Sequence, residues 1–244
     1  MSELTNNGRW FITGTDTEVG KTVATCAFLQ AATARGLRVA GYKPVASGSE
    51  MTYEGPRNSD ALALQANSSV ALSYAQVNPC TFIEPTSPHI VSKLEGRTIE
   101  FSVLSKGLRE LEPLADWVVV EGAGGWFTPL NESQTFADWV IEEKLPVILV
   151  VGMRLGCINH AVLTAQAILQ SGLTLAGWIA NDVEETGKHH QAYLETLRRM
   201  LPAPLLGEIP YLQNDQFSEM GRYLSLESLF LPASRYKQDT YTAR

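Results

Sequence analysis

The 244-residue sequence predicts an α/β fold: a single domain with a doubly wound, mostly parallel sheet and helices on both faces. Three observations predict it. Short apolar runs alternate with longer amphipathic ones along the chain. Most of the short runs are continuously apolar, as parallel strands covered on both faces require. Apolar residues make up 45% of a chain with no linker in it, which supplies one sizeable core. Alternation of this kind builds right-handed strand–helix–strand crossovers, and ligands of such sheets bind at the carboxyl ends of the strands.

In chain order, strands are expected over residues 10–13, 38–42, 117–120, 147–151, 176–180 and 205–209. Helices are expected over 21–34, 60–65, 101–111, 136–143, 159–170 and 188–200. Gly36 and Gly172 stand just past two of these helices, where a left-handed residue ends a helix. The domain is expected to span residues 1–233. The polar, aperiodic stretch 234–244 then reads as a frayed tail.

Composition narrows the function. The net charge is −7, from 19 basic and 26 acidic residues, so phosphate backbones and acidic membranes are repelled and neither nucleic acid nor membrane is an expected partner. Cys26, Cys80 and Cys157 are odd in number, widely spaced and without a Cys-x-x-Cys pair, which argues against a disulfide framework or a zinc site. The first nine residues are polar and resemble no signal peptide, and the aliphatic stretch 147–151 is too short to span a bilayer. A cytoplasmic location is therefore expected.

The first motif follows the first strand. Gly14-Thr15-Asp16-Thr17-Glu18-Val19-Gly20-Lys21-Thr22 runs from an apolar strand into an alanine-rich helix. Backbone N–H groups and a helix N-terminus converge there, as a phosphate loop needs. Lys21 would reach the β- and γ-phosphates of ATP, and the Thr22 hydroxyl would ligate Mg²⁺. The fold expected is thus P-loop NTPase-like. One departure is that Gly14 and Gly20 are separated by five residues, where the common pattern has four. Asp16 and Glu18 are unusual in an anion-binding loop unless they meet something other than phosphate, such as a substrate amine or the sugar.

Two more segments lie on the same rim. In Gly41-Tyr42-Lys43-Pro44-Val45-Ala46-Ser47-Gly48, a lysine ends a strand and enters a rigid loop. From this segment alone Lys43 reads equally as a solvated surface lysine and as a cation that stabilises a transferring phosphoryl group. As a residue exposed on the rim, it would be replaceable by alanine with loss of turnover but an intact fold. Asp60 reads first as a helix N-terminal charge and second as a metal ligand. In Val118-Val119-Val120-Glu121-Gly122-Ala123-Gly124-Gly125, an aliphatic strand ends in a carboxylate and a glycine loop. Glu121 stands where the acidic partner of a phosphate loop holds Mg²⁺, the alternative being a strand-end charge in solvent.

Taken together, the sequence resembles the dethiobiotin synthetase family. The matching stretches are 13–22 (TGTDTEVGKT), 41–48 (GYKPVASG), 57–62 (RNSDAL), 78–88 (NPCTFIEPTSP), 120–129 (VEGAGGWFTP), 145–160 (LPVILVVGMRLGCINH), 177–183 (GWIANDV) and 204–211 (PLLGEIPY), within residues 9–230. The resemblance implies an ATP-dependent carboxylation and ring closure. CO₂ and 7,8-diaminononanoate give dethiobiotin, ADP and phosphate through a carbamate and a carbamic-phosphoric anhydride.

The resemblance also implies site roles. Lys43 is the active-site lysine beside Lys21, and Thr17 and Ser47 meet the diamine or its carbamate. Thr22, Asp60 and Glu121 hold the metal. Glu18, Val19, Gly20, Lys21, Thr22 and Val23 cradle phosphates, and Gly122, Ala123 and Gly124 lie beside nucleotide and substrate. Asn181 and Asp182 face the adenine, although alone they read equally as a turn. Pro210, Tyr211 and Leu212 form the loop near the base. The family is a homodimer, and Gly156, Cys157, Ile158 and Asn159 would present helix N–H groups to the substrate carboxylate of the neighbouring subunit. His160, His189 and His190 read as structural or exposed, and Cys157 as a packing residue.

Other readings compete. A partitioning-type ATPase switch would carry an extra lysine near the loop start, where this chain has Thr13, Gly14 and Thr15. An amidotransferase-type synthetase would need a glutaminase domain for which the chain is too short. A family copy with altered substrate preference would keep every one of these motif residues.

Overall fold

Gly8–Gly14 (β1) enters the sheet at its middle and hands over to Lys21–Ala34 (α1) and Val39–Tyr42 (β2). A stretch of small elements comes next: Val45–Ala46 (β3), Glu50–Thr52 (β4), Gly55–Arg57 (β5), Ser59–Asn67 (α2), Tyr74–Val77 (α3), Cys80–Thr81 (β6) and Pro88–Leu94 (α4). Regular alternation resumes with Phe101–Leu111 (α5), Trp117–Gly125 (β7), Phe136–Glu143 (α6), Val147–Gly152 (β8), Cys157–Gln170 (α7), Leu175–Asn181 (β9), His190–Met200 (α8) and Leu205–Ile209 (β10). The computed structural model describes residues 8–185, 187–213 and 217–230. The expected tail 234–244 and the domain limit at residue 233 lie outside the described residues.

Six strands form one parallel sheet in the order β10-β9-β8-β1-β7-β2. The chain moves from β1 to one edge, returns through β7, and then builds the other half from β8 onward. The strand order therefore reverses around β1, which is where such sheets bind ligands. Two small satellites, β3 with β6 and β4 with β5, lie outside this sheet. Strand register decides which side chains meet on the rim. Ile12 pairs with Glu121 across β1 and β7, and Tyr42 pairs with Val120 across β2 and β7. Lys43, just past β2, thus emerges level with Glu121.

The core explains why these runs are strands. Val118, Val119 and Val120, and Ile148, Leu149, Val150 and Val151, are buried on both faces of the sheet. Each such side chain contributes about 1.5–3 kcal/mol on burial. Trp117 stacks on Phe28 of α1 and on Phe230, closing the bottom of the β1–β7–α1 layer.

Some boundaries differ from expectation. β7 does not stop at Val120; it continues to Gly125, so Glu121 lies inside a strand, and Gly122, Ala123 and Gly124 form an irregular stretch of that strand between the Ile12–Glu121 and Gly14–Gly125 pairs. The ladder survives because Gly14 pairs with Gly125 after a register shift. α7 starts at Cys157 rather than 159, after Gly156 at φ +96°. α8 starts at His190 rather than 188. α2 runs from Ser59 to Asn67, and the Asn58 side chain accepts from the N–H groups of Asp60 and Ala61, a cap that sets where the helix begins. Gly36 and Gly172 do end their helices with positive φ. The elements of residues 45–57 and 74–94 were not expected, since they are too short to show a period.

Candidate active site

The phosphate loop holds its shape through local strain and close contacts. Glu18 has φ +58° and Gly20 has φ +79°, the latter immediately before α1. A Cβ on Gly20 would lie 2.1 Å from Asn181 Nδ2, so glycine is required twice over, by conformation and by space. Asn181, the last residue of β9, donates from Nδ2 to the carbonyl of Val19 at 3.0 Å. Val19 itself is buried against Gly14 and Gly152. The loop start is pinned by the Thr15 N–H donating to Val150 O at 3.0 Å.

Beside the loop sits a buried cluster of opposite charges. Lys43 Nζ donates to Glu121 Oε1 at 2.6 Å, to Asp60 Oδ2 at 3.2 Å and to the carbonyl of Gly122 at 3.2 Å. The Thr22 hydroxyl donates to the same Glu121 Oε1 at 3.0 Å. Lys43 is only 4% exposed and Glu121 is fully buried. This corrects two readings: Lys43 is not an exposed rim lysine, and Glu121 is not a strand-end charge in solvent. The expectation that Lys43→Ala leaves the fold intact falls with the first. Removing Lys43 would leave a buried carboxylate without its cation. Asp60 stands in the first turn of α2 and also reaches Lys43, so its helix-terminal reading and its place in the cluster hold together.

The electrostatics arise from this pairing. Burial acts to lower the Lys43 pKa, but the charges and hydrogen bonds of Glu121 and Asp60 outweigh it and raise the value, so Lys43 stays an ammonium. Burial acts to raise Asp60, yet Lys43 and the Thr22 hydroxyl hold it below the usual carboxylate range. Lys21 lacks so close a counter-charge. Burial first, and then repulsion from Lys43, lower it to about 8 despite Glu121, Asp60 and Asp16. Its ammonium rests on the carbonyl of Asp16 at 3.0 Å. Two cations and two carboxylates thus share one end of the cavity.

A cavity of about 290 Å³ opens onto this cluster. Thr17, Glu18, Gly20, Lys21, Thr22, Lys43, Ser47, Asp60, Glu121, Ala123 and Gly124 line it, so eleven of the expected site residues share one space; Ala46 is a wall residue not foreseen. Val19, Val23 and Gly122 do not line it, although the Gly122 carbonyl accepts from Lys43. Asn181 braces the loop through Val19. Asp182 is buried, with its carboxylate 3.0 Å from His190 Nδ1. Pro210, Tyr211 and Leu212 come directly after β10, with Tyr211 exposed. None of Gly156, Cys157, Ile158 and Asn159 lines this cavity. Cys157 is buried, and that burial pushes its thiol pKa up, which suits packing and not nucleophilic attack.

Sequence reasoning missed Arg154. Its guanidinium lies 3.1 Å from Asp16 Oδ2, which accounts for an acidic residue in an anion-binding loop. Asp16 also accepts the Thr17 N–H at 2.7 Å. The only signal for Arg154 was its place in the 145–160 stretch, just past a strand on the same rim. Metal-ligand chemistry is compatible with the cluster. Glu121 Oε2 is buried with no hydrogen-bond partner, and Thr22 and Asp60 add hard oxygens around the same carboxylate.

Comparison with known proteins gives the family and the fold. A family model described as an AAA domain matches residues 9–216. The chain is 69% identical over 222 residues to the ATP-dependent dethiobiotin synthetase BioD 1 of Escherichia coli (strain K12), a match covering 91% of this chain and 99% of that protein. It is 65% identical over 227 residues to the ATP-dependent dethiobiotin synthetase BioD of Yersinia pestis bv. Antiqua (strain Angola), covering 91% and 95%. Among solved structures, a ParA family ATPase from Chlorobium tepidum TLS superposes with TM-score 0.56 at 12% identity, covering 92% of this chain and 100% of that one. The MinD cell division protein of Aquifex aeolicus superposes with TM-score 0.52 at 16% identity, covering 94% and 93%. Those two share the fold alone. At 65–69% identity over nine-tenths of its length, and with the phosphate loop, Lys43 and Glu121 assembled in one cavity, the chain belongs to the ATP-dependent dethiobiotin synthetase family.

Proposed function

We propose that this protein joins CO₂ to 7,8-diaminononanoate and closes a cyclic urea, releasing dethiobiotin, ADP and phosphate. The observation that carries the reading is the meeting of Lys21 and Lys43 with two carboxylates at one end of a cavity that begins at the phosphate loop. The reaction brings two anions together, a carbamate and a triphosphate. Buried ammonium groups offset that repulsion, and positioning with electrostatic stabilisation supplies most of the catalysis in phosphoryl transfer.

The steps balance without an enzyme nucleophile. One amine of the diamine attacks CO₂ and loses a proton, giving a carbamate. A carbamate oxygen attacks the γ-phosphorus of ATP, ADP leaves, and a carbamic-phosphoric anhydride forms. The second amine attacks the carbamoyl carbon, loses a proton and expels phosphate, which keeps one oxygen that came from CO₂. Thr17 and Ser47 orient the diamine and carbamate. Lys43 faces the reacting oxygens and Lys21 the β- and γ-phosphates. Backbone N–H groups from Glu18 to Val23 cradle the phosphate chain.

Thr22, Asp60 and Glu121 would hold Mg²⁺, which when bound screens the phosphate charge. Asn181, Asp182, Pro210, Tyr211 and Leu212 frame the adenine. A homodimer is part of the reading. Leu155, just before α7, is 87% exposed and Leu163, midway along it, 57%, apolar surface suited to a second subunit, to whose substrate carboxylate Gly156–Asn159 would then turn their N–H groups. A cytoplasmic location is supported by three free, buried cysteines. Among the described residues no helix is long and apolar enough to cross a membrane.

The experiment is ADP release from the purified protein with Mg-ATP, bicarbonate and 7,8-diaminononanoate, omitting each in turn. Release that needs both co-substrates, with the cyclic urea seen by mass spectrometry, is expected. Release indifferent to the diamine would overturn the assignment.

A further inference from the structure

The proposed mechanism leaves unused a buried histidine held between two carboxylates. His190 opens α8 and is 9% exposed. Its Nδ1 lies 3.0 Å from Asp182 Oδ1, and its Nε2 lies 2.5 Å from Glu208 Oε1. Both ring nitrogens thus have a carboxylate partner at hydrogen-bond distance. The two carboxylates meet different ring nitrogens, with the ring between them. The arrangement is a clasp and not a metal cage, and no metal-holding group of His, Cys, Asp and Glu occurs among the described residues.

What the clasp joins gives it a role. Asp182 comes directly after β9, and Glu208 lies in β10, one residue before its end. The backbones already meet there, with the Asp182 N–H donating to Ile209 O at 2.9 Å. From Asp182 the chain runs back to Asn181, whose side chain holds Val19 in the phosphate loop and whose carbonyl accepts the Met153 N–H at 2.8 Å. From Glu208 it runs forward through Ile209 to Pro210, Tyr211 and Leu212. One side chain therefore ties together the ends of two neighbouring strands and the segments that leave them.

We infer that His190 is a positioning residue for nucleotide selection: clasped between Asp182 and Glu208, it holds the 181–182 and 210–212 segments as one wall against the base of ATP. This rests on the reading that those segments frame the adenine. The clasp sets the spacing of two chain segments, so its loss should produce a selective fault in ATP use and not a general one.

The test combines kinetics with photolabelling. In the wild-type protein, 8-azido-ATP is crosslinked and the labelled residues mapped. Label on 181–182 or 210–212 supports the base seat, and label elsewhere overturns both the seat and this inference. His190→Gln keeps a single donor. It is expected to raise KM for ATP about fivefold, to lower the preference for ATP over CTP by a similar factor, and to leave KM for the diamine and kcat at saturating ATP within about twofold. Glu208→Gln removes one arm at constant size and is expected to give a smaller shift in the same sense, which keeps the inference testable if His190→Gln folds poorly. Correct labelling with unchanged KM for ATP and unchanged ATP-over-CTP preference in both variants would overturn it. So would a fall in kcat and melting temperature with nucleotide preference unchanged, since that marks a role in stability only.

Discussion

The two ends of the site are built on different principles. At the phosphate end, two ammonium groups and two carboxylates are packed side by side, and Lys43 and Glu121 are nearly inaccessible. At the end proposed for the base, the backbone contact of Asp182 with Ile209 and a histidine clasp carry the geometry, and Tyr211 stands half in solvent. The first arrangement places charge where charge develops, so each member matters to both chemistry and stability. The second fixes shape, so its members matter mainly to selection.

The largest effect should come from Lys43. Lys43→Ala is expected to slow turnover by about a thousandfold, the upper range for losing one preorganised electrostatic group. It should also cost about 3 kcal/mol of stability, because Glu121 stays buried without its cation. Single-turnover ADP formation and urea unfolding measure the two effects. Unchanged unfolding would show that the pair contributes nothing to the fold and would erase the contrast between the two ends.

Glu121→Gln comes next. Turnover is expected to fall about a hundredfold. Binding of Mn²⁺, followed by electron paramagnetic resonance in the presence of ADP, is expected to weaken in parallel. Equal Mn²⁺ affinity in variant and wild type would remove Glu121 from the metal reading.

Two glycines sharpen the comparison at lower amplitude. Gly20 and Gly156 both have positive φ and both precede a helix. A Cβ on Gly20 collides with Asn181, whereas one on Gly156 meets nothing within 4 Å. Gly20→Ala should cost about 1–3 kcal/mol through strain and raise KM for ATP, with Gly156→Ala at the low end of that range and without effect on ATP. Thermal melts with and without Mg-ATP separate them. The smallest effect belongs to Arg154→Ala. Its pair with Asp16 is exposed on both sides, and the stability change should stay within about 1 kcal/mol.

The same contrast explains what the sequence disclosed. The phosphate loop was legible because strand, glycines, Lys21 and α1 are contiguous, and the sheet strands because most of them, β7 and β8 above all, are apolar runs buried on both faces. The burial of Lys43 was not legible. It depends on β2 and β7 pairing in register, which brings residues 78 positions apart to 2.6 Å. Glu121 reads as a strand end because glycines usually terminate strands, whereas here the strand resumes its pairing with β1 at Gly125 after a register shift. The Arg154–Asp16 pair spans 138 positions and carries no local pattern. His190 likewise has no metal-ligand spacing, and only the fold shows both of its carboxylates. The short elements of residues 45–57 and 74–94 lack a period to read.

The central claim is that the cavity sets a carbamate against the γ-phosphate of ATP. Running the reaction with C¹⁸O₂ under single-turnover conditions, before exchange with water, and weighing the released phosphate tests it most directly. Phosphate carrying one labelled oxygen from CO₂, delivered through the carbamic-phosphoric anhydride, is the predicted result. Unlabelled phosphate alongside dethiobiotin would contradict it.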